Sequence, residues 1–220
     1  RLVGSEMCIR DRISDVMMEN YATGTIERLG LGYDVASQLR PDIIYLSLGA
    51  FGRSGPLKNG GGLHSVINAF SGVTAVTGYP GGHPRILGSI MPDLFSGSFC
   101  IQALLQALYH RAKTGEGQYL DMAMTEIFST LIPEAVADYD MNNREPERVG
   151  NMDRIKAPHD LFACKGYQKW VAISISNDAQ WHSLCNVIGR PDLLDDARFT
   201  NIELRWRHQN EFPDIIEQWT

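Results

Sequence analysis

Residues 90–121 constrain the fold more than any other stretch of this 220-residue chain. Phe95, Phe99, Leu104, Leu105 and Leu108 recur at helical spacing, which predicts a long, largely buried helix over 94–112. Lys113-Thr114-Gly115-Glu116-Gly117 ends it, and residues 119–123 alternate as a strand. One carboxylate, Asp93, stands behind Pro92 at the mouth of that helix. The helix dipole there favours the ionised acid and aims backbone N–H groups at anions. Two readings are open. A carboxylate held out of bulk water is a usable nucleophile, and aspartate is also among the commonest helix N-caps.

The remaining chain alternates strands and helices. Residues 15–18 and 43–48 read as buried strands, 23–30 as a turn with a short helix, and 33–39 as a helix stopped before Pro41. Residues 49–62 form a glycine-rich loop whose G-x-x-G-x-x-G content invites a dinucleotide site. No clean helix follows it, however, and Pro56 lies inside it. Residues 66–70 read as helical and 78–84 as a turn cluster. Residues 125–141 read as a helix kinked or broken at Pro133. Beyond a polar stretch, 160–163 and 169–175 read as strands joined at Lys165-Gly166, and Asn177 or Asp178 caps a helix over 179–188. This order predicts an α/β fold: a large domain with a Rossmann-like parallel sheet over 13–141, a linker over 142–158 and a smaller α/β domain over 159–220.

Composition removes several function classes. A net charge of -6 argues against nucleic-acid binding, which needs a basic face. No apolar run is long enough to span a bilayer. Cys8, Cys100, Cys164 and Cys185 are scattered without a CxxC, which fits a reducing, cytoplasmic setting rather than a disulfide or zinc framework. His83, His110, His182 and His208 lack metal-ligand spacing, so no metal is expected.

Several segments, taken in order, resemble the class III coenzyme A transferases (the CaiB/BaiF-type family of the formyl-CoA and carnitine-CoA transferases). They begin with Glu19-Asn20-Tyr21-Ala22-Thr23-Gly24-Thr25-Ile26-Glu27-Arg28-Leu29-Gly30. Arg40-Pro41-Asp42-Ile43-Ile44-Tyr45-Leu46-Ser47 and Gly49-Ala50-Phe51-Gly52-Arg53-Ser54-Gly55-Pro56 follow. Ala69-Phe70-Ser71-Gly72, Thr77-Gly78 and Ile90-Met91-Pro92-Asp93-Leu94-Phe95-Ser96-Gly97 come next. Asn177-Asp178-Ala179-Gln180-Trp181 and Gly189-Arg190-Pro191-Asp192-Leu193 close the series.

The resemblance implies an interlocked homodimer when full length, with no permanently bound cofactor and with acyl-CoA and a carboxylic acid as substrates. It makes Asp93 the covalent nucleophile, passing through an aspartyl anhydride and an aspartyl-CoA thioester. It places Asn20, Tyr21, Arg28 and Leu29 against CoA. Tyr21 replaces the family's usual Phe, and Ala22-Thr23 replaces a pair ending in Pro. A carboxylate has no proton to lose, so no partner base is needed. The tetrahedral oxyanions need donors, for which amides beside Gly88, Gly97 or a loop are candidates.

The family's opening βα unit would precede Ile13, and the chain stops at Thr220 within an apparent amphipathic helix. Residues 1–12 resemble translated adaptor sequence and are read as non-native, and the whole as an internal fragment.

His64 supports a rival reading. In the related 2-methylacyl-CoA racemases a catalytic His falls at the Leu63 position, and a one-residue slip within Gly60-Gly61-Gly62 would bring His64 there. An ordinary loop histidine is the alternative. Asp178 lies near a racemase acid but also reads as a helix cap. His159 falls where family members place residues over the active site. The glycine-rich lid of the oxalate-using members is not evident; Met152-Asp153-Arg154-Ile155-Lys156 stands near its place. Arg154 and Lys156 are cations that either meet an acceptor carboxylate or stay solvated.

Overall fold

The computed structural model describes residues 14–153 and 155–220. The expected adaptor-like segment 1–12, Cys8 and Arg154 lie outside the described residues. The chain divides into two compact units. One runs to Gly78 and resumes over His83–Glu147; the other comprises Tyr79–Gly82 and Arg148–Thr220.

In the first unit, β1 (Val16–Glu19), β2 (Ile44–Gly49) and β3 (Gln118–Ala123) form a parallel sheet in the order β1-β2-β3. The register pairs Met18 with Leu46 and Leu46 with Leu120. Strand β2 is central, and Ile44, Tyr45, Leu46 and Ser47 are buried whichever face they point to. Parallel strands are covered by their crossover helices on both faces, which is why β2 reads as a nearly continuous apolar run, interrupted at Ser47. On one side Ala36, Ile43 and Tyr45 pack with Met17 and Tyr33. On the other, Ile67, Val73, Met124 and Phe128 pack with Leu48, Met91 and Phe95.

The helices of this unit are α1 (Thr25–Arg28), α2 (Tyr33–Leu39), α3 (His64–Phe70), α4 (Val73–Val76), α5 (Met91–Thr114), α6 (Met124–Ser129) and α7 (Pro133–Asn142). The helix expected over 125–141 is two helices. Pro133 supplies no N–H and its ring opposes the preceding turn, so it opens α7 rather than continuing α6. Helix α5 ends on Gly115 at φ 78°, a left-handed cap that a side chain would strain. Two residues later the chain passes so close to β2 that a Cβ on Gly117 would sit 2.2 Å from the Ile43 carbonyl oxygen. Those two glycines turn the long helix directly into β3. Arg111, near the end of α5, donates to the Asp15 carboxylate at 3.0 Å, which Arg40 also reaches at 2.7 Å.

Helix α5 is not the largely buried helix that its periodicity suggested. Pro92, Ser96, Cys100 and Ala107 face the core, while Leu94, Ile101, Leu105 and Tyr109 are exposed along the opposite face. No helix among the described residues is long and apolar enough to cross a membrane.

In the second unit, β4 (His159–Ala163) and β5 (Trp170–Ser174) form an antiparallel pair. Helices α8 (Asp178–Val187), α9 (Ile202–Arg207) and α10 (Phe212–Ile216) complete a core of Phe162, Trp181, Cys185, Leu193, Phe199, Phe212 and Ile216. The Asn177 side chain caps α8 by accepting from the Gln180 N–H at 2.9 Å.

Candidate active site

Asp93 is not the cap of its helix. Ile90 takes that place, and Asp93 is the third helical residue, after Met91 and Pro92, with no side-chain capping bond. Its carboxylate is 51% exposed, so it is open to reactants rather than held out of water. The first-turn amides of the helix are orphan donors that an anionic group can take up. Gly97 lies inside α5, where its amide serves the helix. The other named glycine, Gly88, lies in the exposed loop before α5 at φ 70°.

His64 opens α3, with Leu63 at the cap position. Its Nδ1 lies 3.0 Å from Asp93 Oδ2, so no slip in the glycine run is required to bring the two together. The ring is not aligned for a hydrogen bond: Nδ1 is buried without a partner in bonding geometry, although the side chain as a whole is 42% exposed.

A cavity of about 270 Å³ in the same unit is lined by Asn20, Tyr21, Gly52, Arg53, Lys58 and the Gly60–Gly62 run, among others. Asn20 and Tyr21, expected against CoA, both line it. Arg28 and Leu29 do not line it: Arg28 donates to Thr25 Oγ1 at 2.9 Å, and Leu29 is exposed on α1. The glycine wall continues directly through Leu63 into His64. Gly62 permits the close approach, since a Cβ there would sit 2.6 Å from that of Ala50.

Arg53, not singled out by the sequence, organises this cavity. Its guanidinium donates to Glu19 Oε1 at 2.7 Å, to the Tyr21 carbonyl at 2.8 Å and to the Leu48 carbonyl at 3.2 Å. Its backbone N–H donates to Asp121 Oδ1 at 2.7 Å. The Glu19 carboxylate also accepts the Tyr21 N–H at 2.9 Å. The Arg53 and Glu19 side chains are 9% and 2% exposed. One buried ion pair thus locks the ends of two neighbouring parallel strands and the loop carrying Asn20 and Tyr21. Lys58 adds a second cation to the wall. The pattern that would have revealed Arg53 is long-range: its partner Glu19 lies 34 residues earlier.

Other candidate groups are occupied. Burial pushes the Cys100 thiol up, and that of Cys185 to about 11, so neither is a ready thiolate. In the second unit Asp178 follows the true cap, Asn177, and is held by Arg205 at 2.6 Å. His159 begins β4, and its Nδ1 contacts the Asn151 carbonyl oxygen at 2.6 Å. Lys156 is half-buried in the same unit.

Residues 12–220 match CoA-transferase family III. The succinate–glutarate CoA-transferase of Agrobacterium fabrum is 31% identical over 209 residues, covering 95% of this chain and 52% of that protein. The succinyl-CoA–L-malate CoA-transferase beta subunit of Chloroflexus aurantiacus is 35% identical over 208 residues, covering 94% of this chain and 51% of that protein. A crystal structure of a CaiB/BaiF family protein from Brucella suis superposes with a TM-score of 0.88 at 28% identity, covering 99% of this chain and 57% of that one. The chain spans about half the length of the curated relatives it matches. With that coverage, and with the parallel sheet and site described above, this chain belongs to CoA-transferase family III.

Proposed function

We propose that the protein containing this chain transfers coenzyme A from an acyl-CoA donor to a carboxylic acid acceptor, with Asp93 as the covalent nucleophile. The observation that carries this reading is the open Asp93 carboxylate in the first turn of a 24-residue helix, in the same unit as a cation-lined cavity whose glycine wall runs into its neighbour His64. At about 270 Å³ the cavity admits only part of a CoA molecule; Lys58 suits a phosphate, while Arg53, neutralised by Glu19, holds the wall in shape.

Asp93 attacks the donor thioester carbonyl, the C–S bond breaks, and an acyl-aspartyl anhydride forms with release of CoA thiolate. The thiolate attacks the aspartyl carbonyl, expelling the donor acid and leaving an aspartyl-CoA thioester. The acceptor carboxylate attacks that carbonyl, forming a new anhydride and freeing the thiolate again. Attack of the thiolate on the acceptor carbonyl yields acceptor-CoA and restores the Asp93 carboxylate. No proton changes hands at the nucleophile, so no general base is required.

Relatives named for succinyl-CoA, glutarate and malate support succinyl-CoA as donor and a dicarboxylic acid as acceptor. Full-length subunits pair as interlocked homodimers, a reading supported by the exposed apolar face of α5.

The second reading, a 2-methylacyl-CoA racemase, is favoured by the His64–Asp93 contact. Two acid–base groups must flank a substrate carbon, however, and a pair 3.0 Å apart leaves no room for one. The deciding experiment incubates the complete gene product with succinyl-CoA, quenches with hydroxylamine or borohydride, and maps the modified residue by mass spectrometry. An adduct on Asp93, absent in Asp93→Ala, is expected. Deuterium uptake from heavy water into a 2-methylacyl-CoA without any adduct would establish the racemase instead.

A further inference from the structure

Asn68 is fully buried in the middle of α3. Its Nδ2 donates to the His64 carbonyl at 2.8 Å, and its Oδ1 accepts the Leu87 N–H at 3.1 Å. Only one orientation of the amide satisfies both partners, because the carbonyl needs a donor and the N–H an acceptor. The His64 carbonyl lies one turn before Asn68, where it serves the helix ladder already. The side-chain bond is therefore superfluous for holding α3 together. What it does is aim Oδ1 across to the loop before α5.

That loop is exposed throughout. Among the described residues of the first unit, the Arg85 N–H bond to the Thr77 carbonyl at 3.0 Å and the Leu87 N–H bond to Asn68 tie it down. Leu87 stands three residues before Ile90, the cap of the helix that carries Asp93. At its other end the same amide holds the residue whose ring touches Asp93. The polar support continues beneath: Ser71 Oγ donates to the Asn68 carbonyl at 3.0 Å, and Ser129 Oγ to the Ser71 carbonyl at 3.0 Å.

We propose that Asn68 is a positioning residue: it straps His64 to the entry of α5 and so sets the Asp93 carboxylate against the imidazole. This inference rests on the transferase reading for its kinetic consequence. The His64–Asp93 contact is close but misaligned, so a shift of a few tenths of an ångström makes or breaks a bond there. Displacement of a reacting group by about 1 Å costs on the order of 100-fold in rate.

The test compares Asn68→Ala, Asn68→Asp and His64→Ala in the complete gene product, with Asn68→Ala/His64→Ala as the double variant. Asn68→Asp keeps an acceptor for Leu87 but turns a carboxylate oxygen on the His64 carbonyl, and it guards against misfolding of the alanine variant. Expected is a fall of about 10- to 100-fold in the rate of adduct formation at Asp93, with KM for acyl-CoA within about twofold of wild type. The Asn68 and His64 losses should not add, because both act on the same contact. Wild-type adduct rates in folded Asn68→Asp, or strictly additive losses, would overturn the proposal.

If wild type forms no adduct, the transferase reading fails and the strap is judged by two structural readouts. Hydrogen exchange at the Leu87 amide should accelerate in Asn68→Ala. Carbodiimide–amine labelling of Asp93 should respond several-fold to His64→Ala in wild type but not in the Asn68→Ala background. Unchanged Leu87 exchange, or equal labelling responses in both backgrounds, would refute it.

Discussion

Arg205→Ala is the sharpest test of how the second unit is held together. Arg205 is completely buried, yet its partner Asp178 is 65% exposed, so the pair reaches from core to surface. The guanidinium makes three bonds, to Asp178 Oδ1 at 2.6 Å, the Phe199 carbonyl at 3.0 Å and the Ala157 carbonyl at 3.2 Å. It also stacks 5.4 Å from the centre of the Trp181 ring. Truncation leaves Asp178 free to hydrate, so the acid contributes little to the loss. The two carbonyls lose their donor inside the core at about 1–3 kcal/mol each, and a cavity opens beside Trp181. The carbonyls alone account for about 2–6 kcal/mol and the cavity adds to that, so a loss of at least about 3 kcal/mol is expected. Arg205→Met refills most of the volume and isolates the polar part, so it should cost about 2–3 kcal/mol. Urea unfolding followed by tryptophan fluorescence measures both. A loss below about 1 kcal/mol in Arg205→Ala would show that the carbonyls find other donors and that the buried arginine is not a structural centre. The result also bears on function, since an Asp178 committed to Arg205 is a poor candidate for acid–base chemistry.

Arg53→Ala strands the Glu19 carboxylate at 2% exposure, so it should cost about 3–5 kcal/mol in stability and weaken CoA binding by at least tenfold, measured by chemical unfolding and calorimetric titration. Unchanged CoA affinity in the folded variant would remove the cavity from the CoA site. Gly117→Ala forces a Cβ against the backbone oxygen of Ile43, and a cost near the upper end of overpacking, about 3 kcal/mol, is expected from urea midpoints; a neutral result would mean that β2 and β3 shift freely. Arg198 bonding holds the Asp196 carboxyl at about 2, and Arg190 and Arg40 hold those of Asp192 and Asp42 below their ordinary value. A depressed folded value means stability that is present above about pH 4 and lost as pH falls toward 2. Arg198→Gln should flatten that acid-side loss in urea midpoints taken between pH 5 and 2, and an unchanged slope would contradict it.

The sequence by itself determined the elements and their order. Residues 33–39 become α2, and the expected strand over 43–48 becomes the central strand Ile44–Gly49, because their local patterns, a stop before Pro41 and a nearly continuous apolar run, are complete within a few residues. The glycines that cap α5 and let β3 approach β2 are equally local signals. Family resemblance singled out Asp93, and brought His64 toward the catalytic position only through a slip in the glycine run.

The tertiary structure decided what depends on distance across the fold. Periodicity says which residues of α5 share a face, not whether a neighbour covers it, so Leu105 read as core and is exposed. The sequence singles out neither Arg53 nor Arg205, because a buried charge is recognisable only once its carboxylate and carbonyl partners have been brought to it. Asn68 is an ordinary polar helix residue until the loop at Leu87 closes over it. Local propensity is settled by neighbours in the chain; burial, pairing and the meeting of His64 with Asp93 are settled by packing between segments that the sequence keeps apart.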